Sequence, residues 1–390
     1  MSQHTRIYLD NAATTWPKPP SVYEAAEYYL REIGAPNGRS AYREAIESNR
    51  IVERARQGVA QLMGAADSRE VIFGFSCTDV LNLAIQGIVR PGDHVITTVC
   101  DHNSVLRPLR ALNETANVDV TYVPCDGQGF ISPDDVRAAL RPNTRLVAMV
   151  HASNVTGAIQ PAAEVAHIVR ESNAFMLLDA AQSLGHVSIN VQELDVDLLA
   201  APGHKGLLAP LGTGVLYIRK GVERELKPLR YGGTGSQSEE DRQPDVLPDK
   251  YEPGNHNLVG LAGLVAATEY LLDATIVAVE RHHRRVTVRL LEGLDDIDGV
   301  TIHGPRLAGE RTSVISISVE GFAPQELAAV LEASHGIQAR AGLHCAPRMH
   351  AALGTTARGG TLRFSAGFAT TIEEIDEVIA AVGELAAVAT

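Results

Sequence analysis

Apolar runs rich in valine, isoleucine and leucine alternate with helix-patterned segments through the middle of the chain. The apolar runs are His94–Thr98, Val118–Val123, Arg145–His151, Phe175–Asp179 and Val215–Ile218. A helical spacing of apolar residues separates most of them, for example at Ser132–Leu140 and Ala162–Glu171. Strands and helices that alternate in this way build a mostly parallel sheet with helices on both faces. The sequence therefore predicts an α/β fold.

The pattern changes after about Tyr231, where a polar, glycine-rich stretch predicts a long loop. A single long helix is predicted next, at roughly Leu258–Leu294, followed by a mixed series of strands and helices. A chain of 390 residues fits two domains comfortably. We expect a large domain at residues 16–260 and a smaller α+β C-terminal domain at residues 261–390, joined by the N-terminal segment 1–15.

Composition and charge argue against several classes of function. A net charge of −13 opposes binding to nucleic acids and to anionic membranes. The sequence contains neither a membrane-spanning apolar run nor the apolar run of a signal peptide. Its four cysteines are spaced too irregularly for a disulfide framework or a zinc motif. We therefore expect a cytoplasmic protein without a metal site and without nucleic-acid or membrane partners.

A lysine in a glycine-lined turn is the first candidate for chemistry. Lys205 follows an apolar segment, and Gly203 and Gly206 flank the pair that it forms with His204. The chain has only five lysines against 29 arginines, so a lysine at this position is less expected to be an ordinary surface residue. Burial lowers the pKa of an amine, and a neutral amine can form a Schiff base with an aldehyde. This reasoning predicts pyridoxal 5'-phosphate as the cofactor.

Polar residues beyond other predicted strands are further candidates. Asp179 ends its strand, where ligands of open α/β sheets bind, and could pair with a protonated pyridine nitrogen or simply cap a helix. Residues 76–78 begin a helix whose free N–H groups could bind phosphate, although a capped start without a ligand is commoner. His102 could stack on a flat ring, and Asn154 could donate to a phenolate oxygen; local structural roles are the alternatives.

A cysteine in a predicted loop of the second domain is a candidate nucleophile. Glycine and proline residues flank Cys345 and argue for its exposure. His344 or a neighbouring arginine, Arg340 or Arg348, could favour the thiolate form. The alternative is a small buried cysteine with no chemical role. Arg363 could hold a carboxylate through two nitrogens, or form a surface ion pair.

Six segments spread along the chain carry a family resemblance. They are Tyr8–Thr15, Asp179–Gln182, Gly203–Lys205, Tyr251–Asn257, Gly342–Pro347 and Leu362–Ser365. Together and in this order they resemble class V of the fold-type I pyridoxal-phosphate enzymes, and within that class the cysteine desulfurase and selenocysteine lyase group. The short loop around Cys345 is similar to that of the SUF-type (group II) branch. The resemblance covers essentially the whole chain and implies a mostly parallel, seven-stranded sheet in the large domain.

The resemblance implies how the cofactor would be held. The implied contacts are Cys77, Thr78, His102, Asn154, Asp179, Gln182, His204 and Lys205, with Gly233 and Thr234 supplied by the second subunit of a homodimer. Lys205 would form the Schiff base and move the Cα proton, and Asp179 would pair with the pyridine nitrogen. His102 would stack on the ring and transfer protons, while Gln182 and Asn154 would contact its phenolic oxygen. The remaining contacts would hold the phosphate.

The resemblance also implies the reaction. Arg363 would bind the substrate carboxylate, with Arg340 and Asn11 as further substrate contacts. The Cys345 thiolate would attack the sulfur of L-cysteine, giving L-alanine and a persulfide for a sulfur-acceptor protein; selenocysteine is an alternative substrate. Pro202 stands where the family usually has serine or threonine. Because proline has neither a hydroxyl nor an N–H group, we expect one phosphate hydrogen bond to be missing.

Other functions fit parts of this pattern. A class V aminotransferase, an epimerase or a C–S lyase would use the same cofactor site without a persulfide on Cys345. A non-catalytic protein with the same fold would not bind the cofactor. A nicotinamide-dependent enzyme is disfavoured, because no G-x-G-x-x-G motif follows the first strand. The predicted catalytic residues are thus Lys205, Cys345 and His102.

Overall fold

The computed structural model describes residues 6–237 and 239–389, which form strands and helices in alternation. The strands are β1 (Ile7–Tyr8), β2 (Val71–Gly74), β3 (His94–Thr98), β4 (Asp119–Val123), β5 (Thr144–Val150), β6 (Phe175–Asp179), β7 (Leu198–Pro202), β8 (Gly214–Ile218), β9 (Val300–His303), β10 (Val314–Val319), β11 (Ile337–Gln338), β12 (Arg340–Gly342) and β13 (Thr361–Ser365). The α-helices are α1 (Pro20–Tyr28), α2 (Arg43–Met63), α3 (Cys77–Ile88), α4 (Asn103–Ala116), α5 (Pro133–Ala139), α6 (Ala162–Arg170), α7 (Val191–Leu194), α8 (Leu258–Ala274), α9 (Ile276–Asp295), α10 (Pro324–His335), α11 (Pro347–Ala352) and α12 (Ile372–Ala389).

The largest sheet has seven strands in the order β2-β8-β7-β6-β5-β3-β4. Strands β3 to β7 are parallel to their neighbours within that group, and β8 is antiparallel to both β7 and β2. Side chains of β6 alternate between two separate apolar cores, with Leu177 in one and Met176 and Leu178 in the other. Both faces of the sheet are therefore buried, as expected for parallel strands joined by helices. The predicted seven-stranded, mostly parallel sheet is confirmed.

All strands of this sheet except β8 end at the same edge. Because β8 is antiparallel to both of its neighbours, β2 points in the same direction as β3 to β7. The segments that follow β2, β3, β5, β6 and β7 consequently meet at one edge of the sheet. In open α/β sheets this carboxyl edge is where ligands bind.

The C-terminal part has its own sheet and its own core. Strands β12-β13-β10-β9 form an antiparallel sheet, and β1 pairs with β11 in a separate two-stranded parallel sheet. Residues of β1, α9, α10 and α12 share one apolar core with this part. The α+β character predicted from the sequence is present, and the N-terminal segment joins it through β1. Residues 1–5 of that segment lie outside the described residues.

The single helix predicted at Leu258–Leu294 is wrong, because the structure has two helices there. Helices α8 and α9 bend by 80° at Thr275, which has a φ of +64° and caps α9 by accepting the Ala278 N–H. Side chains of α8, such as Leu264, belong to the core of the large sheet, whereas Leu290 of α9 belongs to the C-terminal core. The predicted boundary at residue 260 therefore falls at the start of a large-domain helix. We propose Thr275 as the boundary.

The two bent helices also bear on the question of a membrane span. Within the described residues, no single helix combines enough length with enough apolar character to cross a bilayer. Helices α8 and α9 satisfy those criteria only when they are taken together, across their 80° bend. Most side chains of α8 are buried inside the protein.

Candidate active site

A cavity of about 230 Å³ lies at the carboxyl edge of the large sheet, where residues of the C-terminal part close it. The predicted site residues that line it are Cys77, Thr78, His102, Asn154, Asp179, Gln182, His204, Lys205, Arg340, Cys345 and Arg363. These residues come from seven separate segments of the chain. Parallel strand topology brings most of them together, because their segments follow neighbouring strands at the same edge.

Lys205 and Asp179 come from adjacent strands of the sheet. Lys205 is in the turn after β7, and Asp179 is the last residue of β6. One Asp179 oxygen accepts the Ala181 N–H at 2.9 Å and lies 3.9 Å from the Cys77 sulfur. Burial lowers the pKa of the Lys205 amine, although Cys77 and Asp179 act in the opposite direction. Burial likewise raises the pKa of Asp179, while the Ala181 N–H and Lys205 oppose that shift. A lysine with a lowered pKa is the nucleophile that aldehyde chemistry requires.

The N-terminus of α3 forms one end of the cavity. Ser76 caps this helix by accepting the Asp79 N–H at 3.1 Å, and Cys77 and Thr78 are its first two residues. Their N–H groups have no acceptor within the helix, which suits an anion. The Thr78 hydroxyl lies 2.8 Å from that of Ser104. Because the Cys77 thiol faces Asp179, a phosphate contact from Cys77 would come from its backbone N–H.

His204 and Pro202 border the same cavity. Burial, together with the positive charges of Lys205 and Lys18, lowers the pKa of His204 to about 4, so the ring is neutral at pH 7. Its Nδ1 is buried and has no hydrogen-bond partner among the described residues. A protonated Nδ1 would supply a donor next to the proline that cannot donate.

His102 is held as a neutral ring at the start of α4. Its Nδ1 accepts the Ser104 N–H at 3.0 Å, so the ring proton is on Nε2. Burial lowers the pKa of His102 to about 4, and the positive charges of Lys205 and Arg340 add to this effect. The preceding residue, Asp101, is fully buried and accepts three hydrogen bonds of 2.8 Å from Thr97 and Thr98 at the end of β3. These bonds fix the backbone from which His102 projects.

The amide of Asn154 supports the Cys345 loop and also borders the cavity. Its Nδ2 donates to the His344 carbonyl at 2.6 Å, and its Oδ1 is buried without a partner among the described residues. Asn154 therefore has an unpaired acceptor at the cavity and, after one amide N–H is given to the Cys345 loop, a second N–H, so its contact with the phenolic oxygen stays a prediction. Gln182 likewise makes a structural contact, because its side-chain amide donates to the Ala12 carbonyl at 2.9 Å.

Two arginines of the C-terminal part face the cavity. Arg340 of β12 and Arg363 of β13 are paired residues of adjacent strands. Arg363 is 1% exposed and donates to Asp10 at 2.8 Å and to the Asn154 carbonyl at 3.0 Å, but its Nε has no partner among the described residues. Burial lowers the pKa of Arg363, whereas Asp10 and Cys345 oppose that shift. A buried guanidinium with a free N–H is suited to a carboxylate ligand.

The loop that carries Cys345 is short and tied to the large domain. His344 and Cys345 both have left-handed backbone conformations, with φ of 49° and 58°, which are uncommon for residues other than glycine. Asn154 binds the His344 carbonyl, and the Asn103 N–H donates to the Cys345 carbonyl at 2.8 Å. The Cys345 side chain remains exposed. Burial lowers the pKa of His344 to about 2, so the positive charge near Cys345 comes from Arg363 and not from this histidine.

The N-terminal segment fastens the Lys205 turn, which the sequence did not predict. The His204 carbonyl accepts bonds from the Thr15 N–H at 3.0 Å, the Thr14 hydroxyl at 3.2 Å and the Lys18 amine at 3.3 Å. The Thr15 hydroxyl donates to the Lys205 carbonyl at 2.9 Å. Burial lowers the pKa of Lys18 to about 8. The resemblance of Tyr8–Thr15 to the family singled out this segment, but its hydrogen bonds to the Lys205 turn are seen only in the structure.

Three predicted residues lie outside the cavity lining. The Asn11 amide donates to the Ser365 carbonyl at 2.9 Å and accepts the Trp16 N–H at 3.2 Å, so it joins the N-terminal segment to β13. Its amide is engaged with backbone groups, and its contact with the substrate stays a prediction. Gly233 and Thr234 line a separate hollow, together with other residues of the segments 231–234, 236–237 and 240–244. Within one chain, therefore, these two residues do not reach the cavity.

The polar groups of the cavity fit the predicted pyridoxal phosphate. Asn154 Oδ1, His204 Nδ1 and Arg363 Nε are buried without partners among the described residues. An unpaired buried polar group costs about 1–3 kcal/mol, so such a set indicates a polar ligand. Lys205, Arg340 and Arg363 provide more positive charge than Asp179 offsets, which favours a phosphate and a carboxylate. The lysine supplies the amine that an aldehyde requires.

Comparisons with known proteins agree with this geometry. The family model for aminotransferase class-V matches residues 7–378. A probable cysteine desulfurase from Methanothermobacter thermautotrophicus is 36% identical over 374 residues, covering 95% of this chain and 92% of that protein. The cysteine desulfurase IscS of Dictyoglomus turgidum is 36% identical over 305 residues, covering 77% and 72%. The apo structure of a cysteine desulfurase from Thermococcus onnurineus NA1 superimposes with a TM-score of 0.92 at 31% identity, covering 98% and 95%.

Proposed function

The chain belongs to the class-V aminotransferase family and, within it, to the pyridoxal-phosphate-dependent cysteine desulfurases; we propose that Cys345 accepts the sulfur of L-cysteine and that L-alanine is released. The observation that supports this proposal is the position of an exposed thiol in the cavity that contains Lys205 and Asp179. An aminotransferase, an epimerase or a C–S lyase would leave that thiol without a role. The cofactor is pyridoxal 5'-phosphate, as in the family.

The residues of the large domain would hold the cofactor and move protons. When bound, pyridoxal phosphate draws electrons away from the substrate bonds at Cα. Asp179 would face the pyridine nitrogen, and its negative charge would keep that nitrogen protonated. The Lys205 amine, whose pKa burial lowers, would take the Cα proton and return one to the product. The neutral ring of His102, oriented by the Ser104 N–H, would lie against the cofactor and present its Nε2–H.

Arg363 would orient the substrate by its carboxylate. The Asp10 carboxylate and the Asn154 carbonyl fix the guanidinium, which leaves Nε for a ligand. Arg340, at the paired position of β12, would add a second positive charge. A bidentate or charge-assisted contact of this kind would restrict the orientation of the substrate within the cavity that Cys345 also lines.

The sulfur step would take place at the Cys345 thiolate. Its lone pair would form a bond to the substrate sulfur while the bond between that sulfur and the substrate carbon breaks. The electron pair of the broken bond would remain with the carbon, which a proton then converts to the methyl group of alanine. Cys345 would keep the sulfur as a persulfide. Exposure of this thiol would also let a sulfur-acceptor protein reach the persulfide.

Replacement of Cys345 with serine tests this assignment. We expect sulfide release from L-cysteine to fall on the order of 10³-fold or more, as for loss of a catalytic nucleophile. Alanine and sulfide should be measured together in the presence of a reductant, and the visible spectrum should show that the cofactor is still bound. A C345S protein that binds the cofactor normally and still releases sulfide would contradict the proposal. Pyruvate as the product of the wild-type enzyme would indicate a lyase.

A homodimer would complete the phosphate end of the site. Gly233 and Thr234 lie outside the cavity of their own chain, as expected if they serve the partner. Large apolar side chains near these two residues are exposed to solvent, including Tyr231, which is 71% exposed, and Phe75, which is 51% exposed. Exposed apolar clusters mark interaction surfaces. Light scattering should give twice the chain mass of 41.7 kDa, and a fully active monomer would rule the dimer out.

The cysteines support a reducing location. Cys77, Cys100, Cys125 and Cys345 are all free thiols. Free thiols persist in the cytoplasm, whereas oxidising compartments favour disulfides. A cytoplasmic location is consistent with an enzyme that passes a persulfide from one protein to another.

A further inference from the structure

A small cavity of about 20 Å³ lies where the large domain meets the C-terminal part. Ile159 and His186, beyond strands β5 and β6, line it from the large domain. His283 of α9 lines it from the C-terminal part, together with Arg311 and Thr312 of the segment just before β10. None of the described residues around this cavity also lines the cofactor cavity. It is therefore a separate place in the fold, which we call the junction cavity.

Four polar residues of the junction cavity are buried and leave one side-chain atom without a hydrogen bond. The atoms are His186 Nδ1, His283 Nε2, Arg311 Nε and Thr312 Oγ1, and none of them has a partner among the described residues. Each of the four residues is more than nine-tenths buried. The guanidinium N–H can only donate, and the hydroxyl and the ring nitrogens can also donate. Because buried donors are nearly always satisfied, this set of donors around one cavity indicates a ligand that accepts hydrogen bonds.

Arg311 carries a buried positive charge that no described carboxylate neutralises. The residue is 4% exposed, its two terminal nitrogens donate to the Pro305 and Val314 carbonyls, and it forms no ion pair with a described residue. Burial lowers the pKa of Arg311 to about 9, so the guanidinium is still protonated at pH 7. The two carbonyls accept its hydrogen bonds but do not balance its charge, and a buried charge without a counter-charge is costly. The missing counter-charge indicates that the ligand of the junction cavity is an anion.

The size and the charge of the junction cavity favour a small monovalent anion. A water molecule needs about 10–15 Å³ of such volume, so 20 Å³ admits one small ion and excludes a phosphate. Burial lowers the pKa of His186 to about 4 and the pKa of His283 well below its ordinary value, so both rings are neutral at pH 7. The lining then has two positive charges, on Arg284 and Arg311, against one negative charge, on Glu280. One bound negative charge would balance the difference.

We propose that the junction cavity is a halide site, in which a chloride ion is the counter-ion of Arg311. Arg311 Nε and the Thr312 hydroxyl would donate to the ion. His186 and His283 would add ring N–H groups by carrying their protons on Nδ1 and Nε2, the two ring atoms that lack partners among the described residues. A charge-assisted contact with the guanidinium would be the strongest of these bonds.

An ion at this position would fasten the C-terminal part to the large domain. The backbone already joins the two here, because the Ile159 N–H donates to the Glu310 carbonyl at 2.9 Å. On the large-domain side, His186 is packed against Gly206, the neighbour of Lys205, since a Cβ atom at that glycine would lie 2.8 Å from His186 Cδ2. Because the cavity exists only when both parts are folded and docked, chloride would stabilise the folded protein by mass action.

The first test compares chloride with gluconate, an anion too large for the junction cavity, in the cofactor-bound protein. Thermal unfolding is followed in the sodium salts of the two anions at equal ionic strength. We expect the unfolding temperature to be a few degrees higher in chloride, with a difference that levels off as the concentration rises, as for a saturable site. R311M should lose this difference, whereas R281M, which removes an exposed arginine of α9, should keep it. No cysteine turnover is measured, so the result is independent of the proposed role of Cys345.

The second test locates the ion in the wild type, so it applies even if R311M does not fold. Crystals of the cofactor-bound protein are grown in sodium bromide, and anomalous scattering from bromine marks the position of the halide. We expect a bromide in contact with Arg311 Nε; a water molecule there, or no bound group, would overturn the proposal. A bromide at Arg311 without any effect of chloride on the unfolding temperature would show binding at crystal concentration only, and would overturn the role as counter-ion in solution. An R311M protein that keeps the full effect of chloride would do the same.

Discussion

Replacement of Lys205 with alanine is expected to eliminate both the covalent attachment of pyridoxal phosphate and the desulfuration of L-cysteine. Lys205 is the only one of the five lysines that lines the cavity described here. Its amine is in the turn beyond β7, and burial lowers its pKa. Loss of a positioned general base alone costs about 10²–10⁴-fold in rate, and here the covalent anchor is lost as well. Visible absorbance and the cofactor retained after desalting measure the first effect, and alanine formation measures the second.

Two further variants distinguish the loss of the Lys205–cofactor bond from the loss of a positive charge and from the loss of a lysine elsewhere in the chain. Lys205→Arg keeps a positive charge but has no amine that bonds to an aldehyde, so we expect it to be as inactive as K205A. Lys220→Ala removes an exposed lysine beyond β8 and should leave the absorbance and the activity unchanged. Persistence of a covalent cofactor signal in K205A would mean that another lysine carries the cofactor and that the site is misassigned.

Much of the large domain could be predicted from the sequence because its strands are buried on both faces. Such strands are continuous apolar runs, and the predicted bounds of β3 and β6 match the structure residue for residue. The bend between α8 and α9 could not be predicted in this way. The residue at the bend, Thr275, is neither proline nor glycine, so the helical pattern of the sequence continues across it. Tertiary packing imposes the bend.

Some features of the candidate site could be predicted from the sequence, and others could not. Residues at a strand end or just beyond it, such as Asp179 and His102, could be located from the sequence, because strand ends meet at one edge. Hydrogen-bond partners could not, since they join residues far apart in the chain. The Asn154 amide, for example, donates one N–H to the His344 carbonyl, 190 residues away, a contact that the sequence does not indicate. Asn11 likewise holds β13 and does not line the cavity.

A buried ion pair joins the Tyr251–Asn257 motif to the first strand of the large sheet. Arg56 of α2 and Glu252 are 3% and 4% exposed, and both guanidinium nitrogens donate to the carboxylate, at 2.8 and 2.7 Å. Glu252 also accepts the Phe73 N–H at 2.6 Å and lies 2.8 Å from the His256 ring. Burial by itself would raise the pKa of Glu252, but Arg56 and His256 outweigh it and hold that pKa at about 2.

Replacement of Arg56 with methionine is expected to lower the free energy of unfolding by about 3–5 kcal/mol, because Glu252 would remain buried without its partner. Urea denaturation of the cofactor-bound wild type and variant, at matched concentrations, measures the difference. Arg110→Met is the matched control: Arg110 pairs with Glu114 at the surface, where both side chains are more than half exposed. Exposed helix pairs of this kind contribute about 0.3–0.5 kcal/mol, so the control should change stability little.

The same pair predicts a dependence on pH. The pKa of Glu252 is lowered in the folded state, from an ordinary value of 4.5 to about 2. Its stabilising contribution is therefore complete above pH 4.5 and is lost as the pH falls from 4.5 toward 2. In R56M the carboxyl group lacks the guanidinium and would bind its proton at higher pH. The stability difference between wild type and R56M should thus be largest near neutral pH and should shrink in acid; a difference that stays constant over this range would show that lost packing of Arg56, and not its charge, destabilises the variant.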